Sequence, residues 1–245
     1  TMQEPPHQTR WRSGRSGRSG GQGRLALVVD GFPIRSQTFI TQLIDAFAQR
    51  EATKNHPLVI VALGPIDLEA LKVWAPSTWA NIESGSVVLV DGKVVPKRLI
   101  RSRRDYLWLW PHLLQALVRS PRQFRLGIRK SKPWDQIIRC CFWDQLVVRH
   151  RLDVIHVQFL SQAGRVAGWL TDINFKGQLW AMARGRDVTV TAQATNQTLN
   201  HLLAAPFFQG VTAASSRLAQ QVSRLGVREA SVHVVYGGLM LARFC

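Results

Sequence analysis

Residues 25–40 read Leu25-Ala-Leu-Val-Val-Asp30-Gly31-Phe-Pro-Ile-Arg-Ser36-Gln-Thr-Phe-Ile40. The apolar run that opens this stretch is typical of a strand buried on both faces, as in a parallel sheet. Asp30-Gly31 predicts a turn, and Ser36 is placed to cap a helix whose apolar residues recur at helical spacing. A strand, a tight loop and a helix N-terminus therefore follow one another. In α/β proteins such a junction is either a ligand-binding site or a packed turn without a ligand.

The rest of the chain alternates between strand and helix patterns. We predict strands at 25–29, 57–63, 153–157, 178–183, 210–214 and 232–235, and helices at 36–50, 97–118, 134–150, 161–173 and 215–225. Residues 87–95 are typical of a β-hairpin that turns at Asp91-Gly92. The alternation predicts an α/β fold, a Rossmann-like parallel sheet with helices on both faces. The first loop lacks the glycine-rich dinucleotide motif, so a standard NAD site is not expected.

The N-terminal residues 1–23 differ in composition from residues 24–245, which we expect to form one domain. Residues 1–23 repeat Arg-Ser-Gly in tandem and have little to bury, so we expect a disordered basic tail. An RNA-binding arm and a misassigned translation start are the alternatives for this tail. Three cysteines, Cys140, Cys141 and Cys245, form neither a disulfide framework nor a metal-ligand spacing, and indicate a reducing, cytosolic compartment. We find neither a secretory signal nor a membrane-spanning run.

The chain is strongly basic, with 32 Lys and Arg against 15 Asp and Glu and a net charge of +17. Much of the excess lies between residues 97 and 132, where basic and aromatic side chains alternate. This mixture suits an acidic membrane surface, in which the membrane-facing residues would be Arg101, Arg103, Arg104, Trp108 and Trp110. It also suits single-stranded nucleic acid. The third interpretation has no partner: the aromatic rings lie in the core and the arginines in water.

Four motifs, in order along the chain, resemble those of one family. The loop Phe32-Pro33-x-x-Ser36-x-Thr38-Phe39-Ile40 resembles F-P-x-x-S-E-T-F-I. Residues 153–159 read D-V-I-H-V-Q-F and resemble D-V-I-H-A-H-F, residues 183–188 resemble H-G-x-D-V, and residues 234–244 resemble a segment that leads into a second domain. The family is that of the family-4 glycosyltransferases of GT-B type, and the likeness is to the colanic-acid and exopolysaccharide subgroup.

The resemblance implies a glycosyltransferase of bacterial surface or exopolysaccharide biosynthesis. Such an enzyme moves a sugar from a nucleotide-sugar donor to a lipid-linked or saccharide acceptor, without a metal or other cofactor, at the cytoplasmic face of the inner membrane. The likeness ends at Phe244, so it implies the N-terminal, acceptor-side half of the GT-B fold, with the donor domain missing or separate. A truncated enzyme, a half enzyme, a non-catalytic binding module derived from this domain and a nucleic-acid-binding protein all stay open.

Six residues at predicted strand ends or in the motifs are candidates for substrate binding: Gly31, Ser36, Thr38, His156, Arg184 and Asp187. Arg184 stands where the family has a histidine that faces the reacting sugar. An arginine side chain cannot act as a general base, because its pKa is above 12, but it can hold a phosphate or an acidic sugar through two hydrogen bonds. No catalytic residue is therefore predicted. Purely structural roles stay open, as a core imidazole for His156 and as helix caps for Ser36, Thr38 and Asp187.

Overall fold

A computed structural model describes residues 24–33, 38–49, 56–92, 105–185, 188 and 196–235. The predicted basic tail at 1–23 lies outside these residues. So do seven residues singled out from the sequence: Ser36, Arg101, Arg103, Arg104, Asp187, Phe244 and Cys245. The backbone of Trp108 is helical, but its side chain is not described.

In the part of the chain that the structure describes, seven parallel strands form one sheet in the order β3-β2-β1-β4-β5-β6-β7. They are β1 (Arg24–Val29), β2 (Leu58–Ala62), β3 (Val87–Asp91), β4 (Leu152–Val157), β5 (Gln178–Ala183), β6 (Phe208–Ala213) and β7 (Val232–Val234). The helices are α1 (Thr38–Ala48), α2 (Leu68–Trp74), α3 (Pro76–Glu83), α4 (Asp105–Arg119), α5 (Pro121–Arg129), α6 (Trp134–His150), α7 (Leu160–Asp172), α8 (Asn196–Ala204) and α9 (Ser216–Arg224). The predicted fold class, a Rossmann-like α/β sheet with helices on both faces, is confirmed.

The strands bury side chains on both faces of the sheet. All five residues of β2 are buried, which explains why it reads as a continuous apolar run. One face of β1 to β3 packs against α1 and α2 through residues such as Leu27, Ile44 and Leu71. The other face, from β1 to β6, packs against α6 to α9 in a larger core. Within the described residues, no helix is both long and apolar enough to cross a bilayer.

Four helices were not predicted from the sequence, α2, α3, α5 and α8. All four are short, with seven to nine residues, and the residue that α5 buries is Gly127, which has no side chain. The described part of the segment 87–95 does not form the predicted hairpin. Residues 87–91 pair with β2 in parallel, and the Gly92 amide extends this ladder by donating to the Ala62 carbonyl (2.7 Å). The second arm, 93–95, lies outside the described residues.

A buried carboxylate joins α1 to α3. Asp45 is 5% exposed and accepts hydrogen bonds from Ser77 Oγ (2.6 Å), Thr78 Oγ1 (2.8 Å) and Asn81 Nδ2 (3.3 Å). Ser77 and Thr78 lie in the first turn of α3, where free backbone N–H groups and the helix dipole favour a negative charge. Asp45 therefore fixes the position of α1, and with it the helix N-terminus that follows the first loop.

We expect Asp45→Ala to lower the free energy of unfolding by about 2–4 kcal/mol, since it leaves the buried Thr78 hydroxyl without its acceptor. Urea denaturation followed by circular dichroism measures this loss. The control is Glu83→Ala, which removes an exposed carboxylate from α3 and should change stability by less than about 0.5 kcal/mol. Equal effects of the two substitutions would contradict the role given to Asp45.

Candidate functional site

The strand order reverses between β1 and β4, with β2 and β3 on one side and β5 to β7 on the other. In open parallel sheets, ligands bind at the carboxyl ends of the strands at this reversal, where the connections leave in opposite directions. The residues at or near these strand ends that contact one another here are His156, Gln158, Arg184 and Thr212. Together with Gly31 we call them the edge site.

The loop after β1 is held by the loop after β2. The amide of Phe32 donates to the Pro65 carbonyl (2.9 Å), and the amide of Asp67 donates to the Phe32 carbonyl (3.0 Å). The two backbones approach so closely at Gly64 that a Cβ there would lie 2.9 Å from the Asp30 carbonyl oxygen. Gly31 is buried at this contact, so its position is set by backbone hydrogen bonds rather than by side chains.

A directed chain of hydrogen bonds runs across β4, β5 and β6. The Gln158 side chain is fully buried, and its Nε2 lies 2.9 Å from His156 Nδ1. An amide nitrogen can only donate, so Nδ1 accepts and the imidazole proton lies on Nε2. Nε2 lies 3.3 Å from Thr212 Oγ1, and this hydroxyl donates in turn to the Ala181 carbonyl (3.4 Å). Both nitrogens of His156 are thus engaged within the protein.

Arg184, the residue after β5, connects this chain to α1. Its Nη2 donates to Gln158 Oε1 (3.5 Å) and lies 2.9 Å from the sulfur of Met182. Its guanidinium carbon lies 3.2 Å from the centre of the Phe39 ring, in the second position of α1. A guanidinium over an aromatic face is attracted by the ring electrons. Arg184 is therefore held at the carboxyl edge by an aromatic ring and a buried amide.

The electrostatics of the edge site keep His156 neutral. Burial lowers the pKa of His156, and the nearby charge of Arg184 lowers it further, to about 4. The two effects act in the same direction because each disfavours a positive imidazolium. At neutral pH, His156 serves as a neutral hydrogen-bonding group that orients Gln158 and Thr212.

The structure brings together some of the six predicted binding residues. Gly31, His156 and Arg184 all lie at or near the carboxyl edge of adjacent strands, whereas Ser36 and Asp187 lie outside the described residues. Thr38 is the first residue of α1 and is exposed, and its carbonyl accepts from Thr41 Oγ1 (2.7 Å). Substrate binding by these residues stays a prediction. The geometry adds Gln158, Thr212 and Phe39, of which Phe39 and Gln158 lie in the quoted motifs and Thr212 lies in none of them.

The cysteines within the described residues are core residues. Cys140 and Cys141 lie on α6, and burial raises the pKa of each thiol to about 12. Asp172, which accepts a hydrogen bond from Cys140 Sγ (3.5 Å), raises the pKa of that thiol further. Both thiols are therefore protonated and unreactive at neutral pH.

No protein-family model and no curated protein sequence matches the chain. Among solved structures it is similar to Anabaena HepE in complex with UDP and glucose, with a TM-score of 0.50 and 12% identity over 90% of this chain and 46% of that chain. HepE in complex with UDP gives a TM-score of 0.50 and 13% identity over 90% and 45%. The apo lipopolysaccharide outer core galactosyltransferase WaaB gives 0.46 and 11% over 88% and 46%. The match to HepE shows a shared fold, and the chain spans less than half the length of these structures.

We expect His156 to stay neutral down to about pH 5 and the protein to lose stability as the pH falls through the ordinary histidine range. In the unfolded chain His156 takes up a proton near pH 6.5, whereas in the folded chain it does so only near its lowered pKa of about 4. Between pH 7 and pH 5 this difference removes about 2 kcal/mol of folding free energy.

Proton NMR titration of the histidine ring signals and urea denaturation at both pH values measure the two effects. His201→Gln, which changes an exposed histidine on α8, should leave the pH dependence as it is. A titration midpoint for His156 near 6.5 would contradict the buried, neutral imidazole.

Proposed function

We propose that this chain is the acceptor-side domain of a family-4 glycosyltransferase of GT-B type that acts in bacterial surface or exopolysaccharide biosynthesis. The observation that carries the proposal is the edge site, where Gln158 links His156 to Arg184 by hydrogen bonds beside the strand reversal of the sheet, and Gly31 follows the adjoining strand β1. The shared fold with HepE, a protein solved with UDP and glucose, supports it. The four motifs that resemble the colanic-acid and exopolysaccharide subgroup support it independently.

In the proposed reaction, a hydroxyl oxygen of the acceptor bonds to the anomeric carbon of the donor sugar, the nucleoside diphosphate leaves with the bonding electrons, and the hydroxyl proton passes to the departing diphosphate. The leaving diphosphate and its nucleotide would be held by a second domain, contiguous or separate. The edge site would supply the acceptor side. Gly31, which is buried against the loop after β2, would shape the backbone at this end of β1.

Arg184 is the residue that we propose contacts the acceptor. Its guanidinium is fixed in direction by the Phe39 ring and by Gln158, which lowers the entropy cost of binding. A fixed guanidinium recognises a carboxylate or phosphate through two parallel hydrogen bonds. The acceptor we propose is therefore an acidic saccharide or a phosphate-linked lipid carrier. His156 acts through Gln158 as a positioning residue, since its own nitrogens are already engaged.

The alternative on the same site is a non-catalytic binding module. The observation that favours it is Arg184 itself, which stands at the position of the motif histidine and cannot take a proton from the acceptor. Both versions predict binding of an acidic saccharide, and only the transferase predicts turnover once a donor domain is supplied. For either, we propose a cytoplasmic protein at the inner membrane face, where lipid-linked acceptors are presented.

We expect Arg184→Gln to weaken binding of a glucuronate-containing oligosaccharide by about 10–100-fold, because a hydrogen-bonded charge pair contributes about 1.5–3 kcal/mol. Arg184→Lys should recover part of the affinity, since it restores the charge but not the paired geometry. Isothermal titration calorimetry measures the constants. The matched control is Arg217→Gln, an exposed arginine on α9. Equal affinities of the charged oligosaccharide for wild type and Arg184→Gln would refute this acceptor contact.

We further expect residues 1–245 alone to transfer no sugar from UDP- or GDP-sugars to lipid-linked acceptors. The groups that would stabilise the departing diphosphate belong to the other half of the proposed fold. Radiolabelled donor and thin-layer chromatography of the lipid fraction measure transfer. Product clearly above a heat-inactivated sample would show that this half binds the donor by itself, against the proposal.

A further inference from the structure

Helix α4 has a solvent-facing side made of apolar residues. Trp110, Leu114, Leu117 and Val118 follow one another at helical spacing, and their side chains are 62%, 46%, 38% and 81% exposed. The helix buries a different side, with Leu113 and Ala116, against α6. A helix that only covers a core has polar residues on its outer side. The outer apolar stripe of α4 therefore needs another explanation than packing within this domain.

Helix α5 follows α4 after one residue and has an arginine face. Arg122, Arg125 and Arg129 lie at i, i+3 and i+7, are exposed, and line an open groove together with Pro121 and Leu126. Ser120 is the single residue between α4 and α5. From residue 110 to residue 132 the sequence has six Lys and Arg and no Asp or Glu. Lys132 forms a salt bridge with Asp172 on α7, whereas the three arginines of α5 have no acidic residue within this segment.

The two helices are fixed to the domain, so the stripe and the arginines keep one geometry. The Ser120 hydroxyl donates to Asp144 Oδ2 on α6 (2.5 Å), and Ser120 itself is 4% exposed. Gly127 lies against Ile137 so closely that a Cβ would meet Ile137 Cγ1 at 2.6 Å. The α4–α5 surface, defined by the four stripe residues and the three arginines, is thus a preformed feature of the domain.

We infer that the α4–α5 surface docks onto an acidic lipid bilayer. The stripe residues would lie among the first acyl-chain carbons below the headgroups, and the arginines at the lipid phosphates. The inference rests on the proposed function, in which the acceptor is linked to a lipid. It adds the surface of the domain that meets the membrane and the class of lipid that this surface binds. Exposed aliphatic and indole side chains beside arginines are what an interfacial helix presents to such a membrane. Attraction of basic residues to acidic lipid supplies the charge complementarity.

Two other occupants fit the surface less well. Single-stranded nucleic acid would use the arginines and Trp110 by phosphate contact and stacking, but Leu114, Leu117 and Val118 offer it nothing to stack on. A second copy of the chain in a two-fold dimer would bury the stripe while bringing two sets of like-charged arginines together. A bilayer uses both halves of the surface.

Cosedimentation with sucrose-loaded vesicles tests the inference with the whole chain. We expect binding to a two-to-one mixture of phosphatidylcholine and phosphatidylglycerol, and little binding to phosphatidylcholine alone. Each basic residue near an acidic surface contributes about fivefold to binding, so replacing Arg122, Arg125 and Arg129 by Glu together should weaken binding by about 100-fold or more. Raising the salt concentration should weaken wild-type binding as well.

Two matched variants separate this surface from the general charge of the protein. Changing Arg217, Arg224 and Arg228 to Glu alters the net charge equally at exposed positions elsewhere, and should leave binding within about threefold. Leu114→Ser with Val118→Ser should also release the protein from vesicles. Val73→Ser with Val148→Ser, at positions 75% and 68% exposed outside the surface, should not. Circular dichroism confirms that each variant is folded.

Several results would overturn the inference. One is equal binding of the protein to neutral and acidic vesicles. Another is an equal loss of vesicle binding in the two triple arginine-to-glutamate variants. A third is a salt-sensitive complex with single-stranded DNA in a protein that does not bind vesicles. A dimer in solution that Leu114→Ser dissociates would assign the stripe to a second copy instead. The assay contains neither saccharide nor nucleotide sugar. A protein that binds acidic saccharide through Arg184 and ignores vesicles therefore refutes only the docking surface, and the reverse result refutes only the acceptor site.

Discussion

The parallel pairing of β1 with β4 is the constraint on which the rest of the structure depends. Leu27 lies opposite His156 and Val28 opposite Val157, and the Gln158 amide extends the ladder by donating to the Val28 carbonyl (2.9 Å). A slip of one residue would turn Ile155 and Val157 out of the larger core, so burial fixes the register. The strand order reverses at this pair, and the reversal decides where loops from both halves of the sheet meet.

The Gln158 amide and the His156 imidazole at that reversal are satisfied by neighbouring side chains. A buried amide and a buried imidazole would each destabilise the fold if left without partners, because desolvation is compensated only by hydrogen bonds. Gln158 receives a hydrogen bond from Arg184 and gives one to His156, whose other nitrogen meets Thr212. The consequence is an edge site whose amide and imidazole are hydrogen-bonded without a ligand. Its neutral histidine and fixed arginine suit recognition of an acidic group better than proton transfer.

Positive charge in this chain therefore has two local arrangements with different physics. At the edge site a single guanidinium is held by an aromatic ring and a buried amide, which favours one small anionic group in one orientation. On the α4–α5 surface three exposed arginines border apolar side chains, which favours an extended, mixed surface such as a bilayer. A net charge of +17 by itself does not distinguish these two arrangements from a solvated basic face.

The sequence by itself determined the strands, the longer helices and the α/β class, because continuous apolar runs and helical periodicity are local properties. The predicted helix 215–225 ends in the structure just before Gly226, whose φ of 98° is one that glycine adopts without strain. Only the tertiary structure decided the partners of His156 and Arg184, since Thr212 and Phe39 lie far from them in sequence. Likewise, the close packing of Gly127 on Ile137 of α6 decides which side of α5 faces the domain, and leaves its arginines exposed. Local patterns fix which segments are strands and helices, whereas contacts between distant segments depend on strand order and register.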